Sequence, residues 1–485
     1  MAHPNPAGRI SGSRLAALLG TWRSRPARSS AADLAAAVRL LVLDGQLPPG
    51  TRLPSERELA TATRTSRTLA TAAYDRLRDE GLLASRRGAG SWTALPGAVR
   101  AAGDALLPNC EPLLDLAHAA PSAPPGLAAA AEAVRPAFAA QLAEHGYHPQ
   151  GLLELRRRIA DRFAGRGLPT SPDQILVTHG AQHALALVLR SVTSPGDRVL
   201  VEHPTYPNAL EAIRAVHARP VPVRLDRTGW DVEALDAALR RSVPALAYLI
   251  PDFQHPTGLA MSAGTRREIG SLLRRSRTPV VIDETLVELD LDGGATAPPL
   301  AEAAGDLAIT IGSASKSFWG GLRMGWLRAP AELVSRLVAA RPATDLGCPV
   351  FEQLLLGELL DGADVLLADR LAELRNRRAA LLDALGEHCP SWTVREPRGG
   401  LSLWCELDAA GSSRLAVLGA QHGLRVTPGS RFSAHGGLER RLRLPYTLPT
   451  EVLPGAVARL AMAWAAVGAA PGGDAVQLAT DAALA

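Results

Sequence analysis

Lys316 is the only lysine among the 52 Lys+Arg residues, so every other member of that pair is arginine. Arginine keeps its proton near neutral pH and cannot serve as an amine nucleophile; lysine can, once its pKa is lowered. Capture of a carbonyl as an imine is the main chemistry that needs such an amine. The neighbours suit it. In Ile311-Gly312-Ser313-Ala314-Ser315-Lys316-Ser317-Phe318-Trp319-Gly320-Gly321-Leu322-Arg323, Ser313 and Ser315 offer hydroxyls and Arg323 a fixed cation. Such a set would hold a phosphate carried by the same carbonyl compound. A phosphorylated aldehyde of this kind is pyridoxal 5'-phosphate (PLP), whose enzymes pair a Schiff-base lysine with an acid for the ring nitrogen. The plain alternative is one leftover surface lysine in an arginine-biased chain.

Other residues complete the chemistry. Asp283 closes the apolar run Pro279-Val280-Val281-Ile282, so its carboxylate sits at an apolar mouth and would keep a pyridine nitrogen protonated. Gly180-Ala181-Gln182 opens a helix and offers backbone N–H groups to a phosphate. Tyr206, in Pro204-Thr205-Tyr206-Pro207, could stack on a flat ring, and Arg443 could grip a carboxylate through two parallel hydrogen bonds. The structural alternatives are a helix cap for Asp283, a core position for Tyr206, an ion pair for Arg443 and a plain turn at Gly180.

The elements that must position these residues alternate. Strand-like runs at 174–178, 198–202, 245–250, 279–283 and 308–312 are separated by helical patterns, among them 152–163 with Leu155, Ile159 and Phe163 on one face. This rhythm predicts an α/β domain with a mostly parallel sheet covered by helices on both faces. Sites in such folds gather at the carboxyl ends of strands, where Gly180, Tyr206, His255, Asp283 and Lys316 all fall.

The first hundred residues read differently. They carry 15 Arg against 7 Asp+Glu, a net +8, while the remainder nets −4. A basic module on a faintly acidic body fits a nucleic-acid-binding domain joined to something else. Leu34, Val38, Leu41 and Val42 share a helical face; Ser55 and Glu58 form a capping box; Ser66 caps a third helix through Glu80. Two short helices in tight succession are a helix-turn-helix, which would bring Arg67, Thr68 and Thr71 to a major groove. Residues 82–93 read as a hairpin with Arg86 and Arg87 at its tip, placed to meet phosphates or a minor groove. The domains expected are a winged helix-turn-helix at 1–95 (core 30–93), a linker at 96–113, the large domain at 114–470 and a disordered tail at 471–485. Cys110, Cys348, Cys389 and Cys405 have no metal-ligand spacing. No metal site, no membrane span and a cytoplasmic location are therefore expected.

Two resemblances sharpen this reading. Gly45 to Ala60, with Ser66-Arg67-Thr68, Ala73-Tyr74-Asp75-Arg76-Leu77 and Glu80-Gly81, resembles the GntR family of winged-helix regulators. That resemblance implies DNA contacts from Arg52, Arg57, Ser66, Arg67, Thr68, Gly88 and Gly90. Leu69-Ala70 departs from the family's usual Thr-Val, which bears on base preference. Residues from about 115 to 470 resemble the fold-type I aminotransferases. The matches are Tyr147-His148-Pro149-Gln150-Gly151, Gly180-Ala181-Gln182, Pro204-Thr205-Tyr206, Pro256-Thr257-Gly258, Asp283, Ser313-Ala314-Ser315-Lys316 with Arg323, and Arg443. This second resemblance implies a PLP Schiff base on Lys316 and Asp283 at the ring nitrogen. It implies Ser313, Ser315 and Arg323 on the phosphate, Arg443 on a substrate carboxylate, and Tyr147 reaching the phosphate of a partner subunit. His255 stands where many members have Asn, and Leu286, after Thr285, where they often have Tyr. Both positions normally hydrogen-bond the cofactor's phenolic oxygen, so the departures imply retained PLP binding with weak transamination.

Joined, the two halves resemble the MocR subfamily of GntR-type regulators. The expectation is a homodimeric, PLP-dependent transcriptional regulator that binds double-stranded operator DNA at two half-sites or direct repeats. It would sense an amino compound, or PLP itself, at Lys316. The alternatives are a working amino-acid aminotransferase with a vestigial or autoregulatory DNA-binding domain, and a DNA-binding protein whose large domain only dimerises.

Overall fold

The computed structural model describes residues 9–19, 22, 30–43, 47, 51–86, 90–93, 113–294, 297–419 and 422–469. The expected linker, apart from residue 113, the tail, and Arg87 and Gly88 lie outside the described residues.

In the N-terminal part, helices α1 (Gly12–Leu19), α2 (Ala31–Leu43), α3 (Glu56–Thr63) and α4 (Arg67–Asp79) precede the hairpin β1 (Leu83–Arg86) and β2 (Gly90–Thr93). Leu15, Leu34, Val38, Leu59, Tyr74 and Leu77 are all fully buried in one core, as the helical spacing of their apolar positions requires. Tyr74 satisfies its buried hydroxyl by donating to the Pro54 carbonyl at 2.9 Å. Ser55 caps α3 by accepting from Glu58 N at 3.2 Å, and Ser66 caps α4 by accepting from Leu69 N at 3.1 Å. Glu58 also serves α1, a helix the sequence pattern did not reveal: its carboxylate accepts from Gly12 N at 2.8 Å and from Arg9 at 3.1 Å. Residues 51–53 lie along β2, with Leu53 N donating to Ser91 O and Thr93 N to Thr51 O.

The large domain opens with β3 (Leu114–Leu116). Two short helices follow, Leu127–Ala133 and Arg135–Gln141; Pro136 starts the second and cannot continue the first. Helix α5 (Leu153–Gly165) leads to β4 (Ile175–Thr178) and α6 (Ala181–Val192). Then follow β5 (Arg198–His203), β6 (Arg219–Arg224), β7 (Leu246–Leu249), β8 (Val280–Asp283), β9 (Ala308–Ser313), the single turn α7 (Ala314–Ser317), β10 (Gly325–Arg328) and α8 (Ala331–Ala340). The sheet runs β4-β10-β9-β8-β7-β5-β6, and only β10 is antiparallel to its neighbours. Strand β7 and strand β8 are buried throughout, which accounts for their unbroken apolar runs. The edge strand β6 carries Pro220 and Pro222, which an interior strand would not tolerate.

A second sheet, β11 (Thr393–Val394), β12 (Ser402–Glu406), β14 (Arg441–Pro445), β13 (Leu424–Pro428) and β3, closes the C-terminal part. Strand β3 is therefore the first described element after the connection from the N-terminal part, and it pairs parallel with β13.

Candidate functional site

Lys316 lies on α7, directly after β9, as expected from the sheet rhythm. Its amine donates to the Ala119 carbonyl at 2.6 Å. Burial, reinforced by the positive charges of Arg443 and Arg323 and opposed by Asp283, lowers its pKa to about 8. At neutral pH that puts on the order of a tenth of the amine in the nucleophilic form.

Asp283 ends β8 and is buried. Its Oδ2 accepts from the Tyr248 hydroxyl at 2.7 Å, and its Oδ1 from Thr285 N at 2.9 Å. The carboxylate is therefore held from two sides, with no cation in direct contact among the described residues. Thr285 contributes a backbone donor, while its own hydroxyl is buried without a partner. Tyr248 was missed in the sequence because it sits in an all-apolar strand where nothing marks the direction of its hydroxyl. Glu202, buried beneath this region, accepts from Trp230 Nε1 at 2.7 Å, Ile250 N at 3.1 Å and Gln254 Nε2 at 2.9 Å. Burial raises its pKa to about 8 against those three donors. Gln254 also donates to Pro204 O at 2.8 Å and so ties the Tyr206 turn to the His255 turn.

At the start of α6, Gly180 has φ +85°, and a Cβ there would point at Arg323, 3.5 Å from Nη2, and at Ser313 Oγ, 3.8 Å away. The glycine thus leaves a cradle bounded by the start of α6, Ser313 and Arg323. Arg323 Nη2 donates to His179 O at 3.1 Å, and Ser313 Oγ donates to Ser315 Oγ at 3.0 Å. Ala181 is buried behind the cradle. Gln182 turns its amide to Asn208 O at 3.0 Å, so its side chain braces the next turn.

Tyr206, half-buried, accepts from Asn208 Nδ2 at 2.9 Å and meets the His255 ring edge-on at 5.8 Å. His255 also packs edge-on against Phe432 at 5.5 Å. Burial and the charges of Arg443 and Lys316 hold its pKa well down, so it is a neutral imidazole in an aromatic box. Leu286 is buried in the C-terminal core. Arg443 on β14 is enclosed over the Phe432 ring, 5.7 Å from its centroid. It donates to Ala117 O and to Thr427 Oγ1 at 3.2 Å, while its Nε and Nη1 are buried with no partner. Burial drops its pKa to about 10. Two idle buried donors on one guanidinium are what an entering carboxylate would satisfy. Tyr147 is 59% exposed and stacks on His145 at 6.0 Å.

In the N-terminal part, Ser66, Arg67 and Thr68 are exposed at the start of α4 with Thr71 one turn on, and Arg57 is exposed on α3. Arg52 lies across Gly90, where φ is +113° and a Cβ would stand only 3.2 Å from the Arg52 Nε. Arg86 ends β1 beside them.

Among the described residues, His179, His183 and Asp345 bring three possible metal-ligand atoms within 4.8 Å. His183 Nδ1, however, accepts from His179 N at 3.1 Å. Its Nε2 then carries the proton and lies 3.0 Å from Asp345 Oδ2, yet the two atoms are not aligned for a hydrogen bond and each is buried without such a partner.

Comparison with known proteins agrees with this geometry. Residues 30–92 match "Bacterial regulatory proteins, gntR family", and residues 112–460 match "Aminotransferase class I and II". The chain is 34% identical over 330 residues to a 2-aminoadipate transaminase of Thermus thermophilus, covering 65% of this chain and 81% of that protein. It is 32% identical over 414 residues to the HTH-type pyridoxine biosynthesis transcriptional regulator PdxR of Corynebacterium glutamicum, covering 81% and 87%. The crystal structure of the T. thermophilus α-aminoadipate aminotransferase LysN, complexed with N-(5'-phosphopyridoxyl)-L-leucine, superposes with a TM-score of 0.67 at 32% identity, covering 74% of this chain and 93% of that one. The fold and site thus define a fold-type I aminotransferase domain behind a winged helix. The chain belongs to the aminotransferase class I and II family and, with its gntR-family head, to the MocR-type regulators. Its cofactor is PLP, which the Gly180 cradle and the low-pKa Lys316 amine both fit. No helix among the described residues is long and apolar enough to cross a membrane.

Proposed function

We propose that this chain is a PLP-dependent, DNA-binding transcriptional regulator that works as a homodimer and responds to an amino compound or to PLP itself. Lys316 would hold the cofactor, Asp283 its ring nitrogen, and Gly180, Ala181, Ser313, Ser315 and Arg323 its phosphate. Arg443 would take the effector's carboxylate, with Tyr206 and His255 walling the ring. Bound there, PLP supplies an electrophilic carbon to which amines add and an electron-withdrawing ring. Arg52, Arg57, Ser66, Arg67, Thr68, Thr71, Arg86, Arg87, Gly88 and Gly90 would meet operator DNA, and Tyr147 the partner subunit's phosphate.

One observation carries the link between the two halves. Lys316 and Arg443 both donate to carbonyls of a single segment, Ala119 and Ala117, directly after β3. That segment also accepts from Thr447 Oγ1 through His118 O at 3.1 Å. Whatever Lys316 and Arg443 take up therefore bears on the first described element after the connection to the winged helix. A ligand shifts an equilibrium only through unequal affinity for its two states, and this segment is where the inequality would arise. The test is DNA affinity of PLP-loaded protein with and without a panel of amino acids and amines. A change of about fivefold or more for one class supports the regulator, a typical coupling; no change for any compound speaks against it.

The second reading is a working aminotransferase. It is favoured by the carboxylate-ready Arg443 and by the likeness to a named transaminase. Sustained amino transfer to an added 2-oxo acid would support it.

A further inference from the structure

Strands β7, β5 and β6 lie side by side and parallel, and the loops leaving their carboxyl ends meet at one buried carboxyl group. That group is Glu202, next to last on β5. It accepts from Trp230 Nε1 in the loop after β6, and from Ile250 N and Gln254 Nε2 in the loop after β7. Gln254 is fully buried, and both ends of its amide are matched. Nε2 donates to Glu202 Oε2 at 2.9 Å and to Pro204 O at 2.8 Å. Oε1 accepts from Thr257 N at 3.2 Å and from Thr257 Oγ1 at 2.7 Å. The amide has one orientation, because Pro204 O can only accept and Thr257 N can only donate.

Loops are the mobile parts of a fold; here a single side chain joins two of them. Pro204 opens the turn that carries Tyr206, and Gln254 itself precedes His255. Thr205 N donates to Phe432 O at 3.0 Å. The rings of Tyr206 and Phe432 meet His255 edge-on at 5.8 and 5.5 Å. Three aromatic rings thus hang on one frame, and the Gln254 amide is the joint between its two loops.

We infer that Gln254, held by Glu202, is a positioning residue that fixes Tyr206 and His255 relative to one another and so shapes the wall for a flat ring. Being enclosed, it touches nothing in the site; it acts through Pro204, Thr205 and the His255 backbone. The inference rests on the reading that PLP is held at Lys316 with Tyr206 and His255 walling its ring.

Gln254→Met keeps the length of the side chain and removes both donors and the acceptor. The probes are PLP and pyridoxal, which lacks the phosphate, each added to full-length cofactor-free protein. The readouts are affinity and, at saturation, the circular dichroism of the bound aldehyde's absorption band. That ellipticity reports the asymmetry of the ring's surroundings rather than overall stability. Gln254→Met should weaken PLP and pyridoxal by the same factor, about tenfold for a broken buried hydrogen-bond network. The factors match because the frame meets the ring and not the phosphate. The ellipticity per bound aldehyde should fall. Thr257→Val removes only the hydroxyl that clamps Oε1 and should move both readouts the same way by less; it decides the matter if Gln254→Met does not fold. Trp230→Phe is the structural control. It takes one donor from Glu202 and leaves the ties of Gln254, so it should lower the urea midpoint without changing ellipticity or affinity. Tyr206→Ala should cost less in the Gln254→Met background than in the parent, since the amide acts through that ring.

Unchanged ellipticity in Gln254→Met and Thr257→Val, an equal change in Trp230→Phe, a loss confined to PLP, or full additivity with Tyr206→Ala would each overturn the inference. Borohydride reduction and mass spectrometry of the unaltered, PLP-treated protein separate the two levels. No pyridoxyl group on Lys316 sinks the reading of the site and the inference with it. A modified Lys316 together with any of those results sinks the inference alone.

Discussion

The hydroxyl of Tyr248 donates to Oδ2 of Asp283 at 2.7 Å, from one buried strand to the next. The carboxylate that would face the cofactor's ring nitrogen is thus braced by a phenol, and burial beside Asp283 pushes the Tyr248 pKa well up and keeps it a donor. Tyr248→Phe leaves Oδ2 buried without this bond. It should lower unfolding free energy by about 1–3 kcal/mol, the cost of a lost hydrogen bond to a charged group. Denaturant titration of the cofactor-free protein checks this; an unchanged midpoint would mean the bond is idle.

Lys316 reacts as the free amine. With its folded pKa lowered to about 8 by burial and by Arg443 and Arg323, the amine fraction rises about tenfold per pH unit below that value and levels off above it. The rate of PLP capture by cofactor-free protein should follow that curve. The sign for stability is the same. Between about 8 in the folded chain and the ordinary lysine value of 10.5 in the unfolded chain, the unfolded state binds more protons, so Lys316 contributes rising stability as pH increases through that window. Stopped-flow absorbance from pH 6 to 10 reads the capture curve. A rate still climbing at pH 10 contradicts the lowered pKa.

Arg443 holds Nε and Nη1 ready without a partner. Arg443→Gln should cost about 100-fold in the apparent affinity of α-amino acids, on the scale of a buried charge pair. The corresponding decarboxylated amines should lose far less. Spectral titration with matched amino acid and amine pairs makes the comparison.

In the winged helix, exposed Arg67 opens α4 just after its Ser66 cap. Arg67→Ala should weaken operator binding by about 1–3 kcal/mol if it reads a base. If it contacts a phosphate, it should instead flatten the salt dependence by about one counterion. Unchanged affinity and salt slope would remove Arg67 from the interface.

Much of this site was legible because its chemistry-bearing residues stand at strand ends. Lys316, Asp283 and Gly180 announce themselves by type and by the apolar runs before them. Tyr248 does not: a strand's burial pattern says that a side chain is inside, but not what its polar tip meets. The Ala117 and Ala119 carbonyls are invisible for a different reason, since every residue has one and only the fold aims it. Arg341 and Asp345 look like an ordinary i, i+4 surface pair, and only the fold buries Arg341 fully. The second sheet was hidden because its strands are short and mix charge with apolar residues, as Arg441-Leu442-Arg443 does. Helix α1, at eight residues, offers too few turns for a period to show.

The central claim is that occupation of Lys316 is felt by the winged helix. Fluorescence anisotropy with labelled operator DNA, on PLP-loaded protein and on Lys316→Ala, each titrated with the amino compound that most alters the parent's spectrum, tests it directly. The account predicts that DNA affinity shifts by about fivefold or more in the parent and not at all in Lys316→Ala. An equal shift in both proteins, or none in the parent, would contradict it.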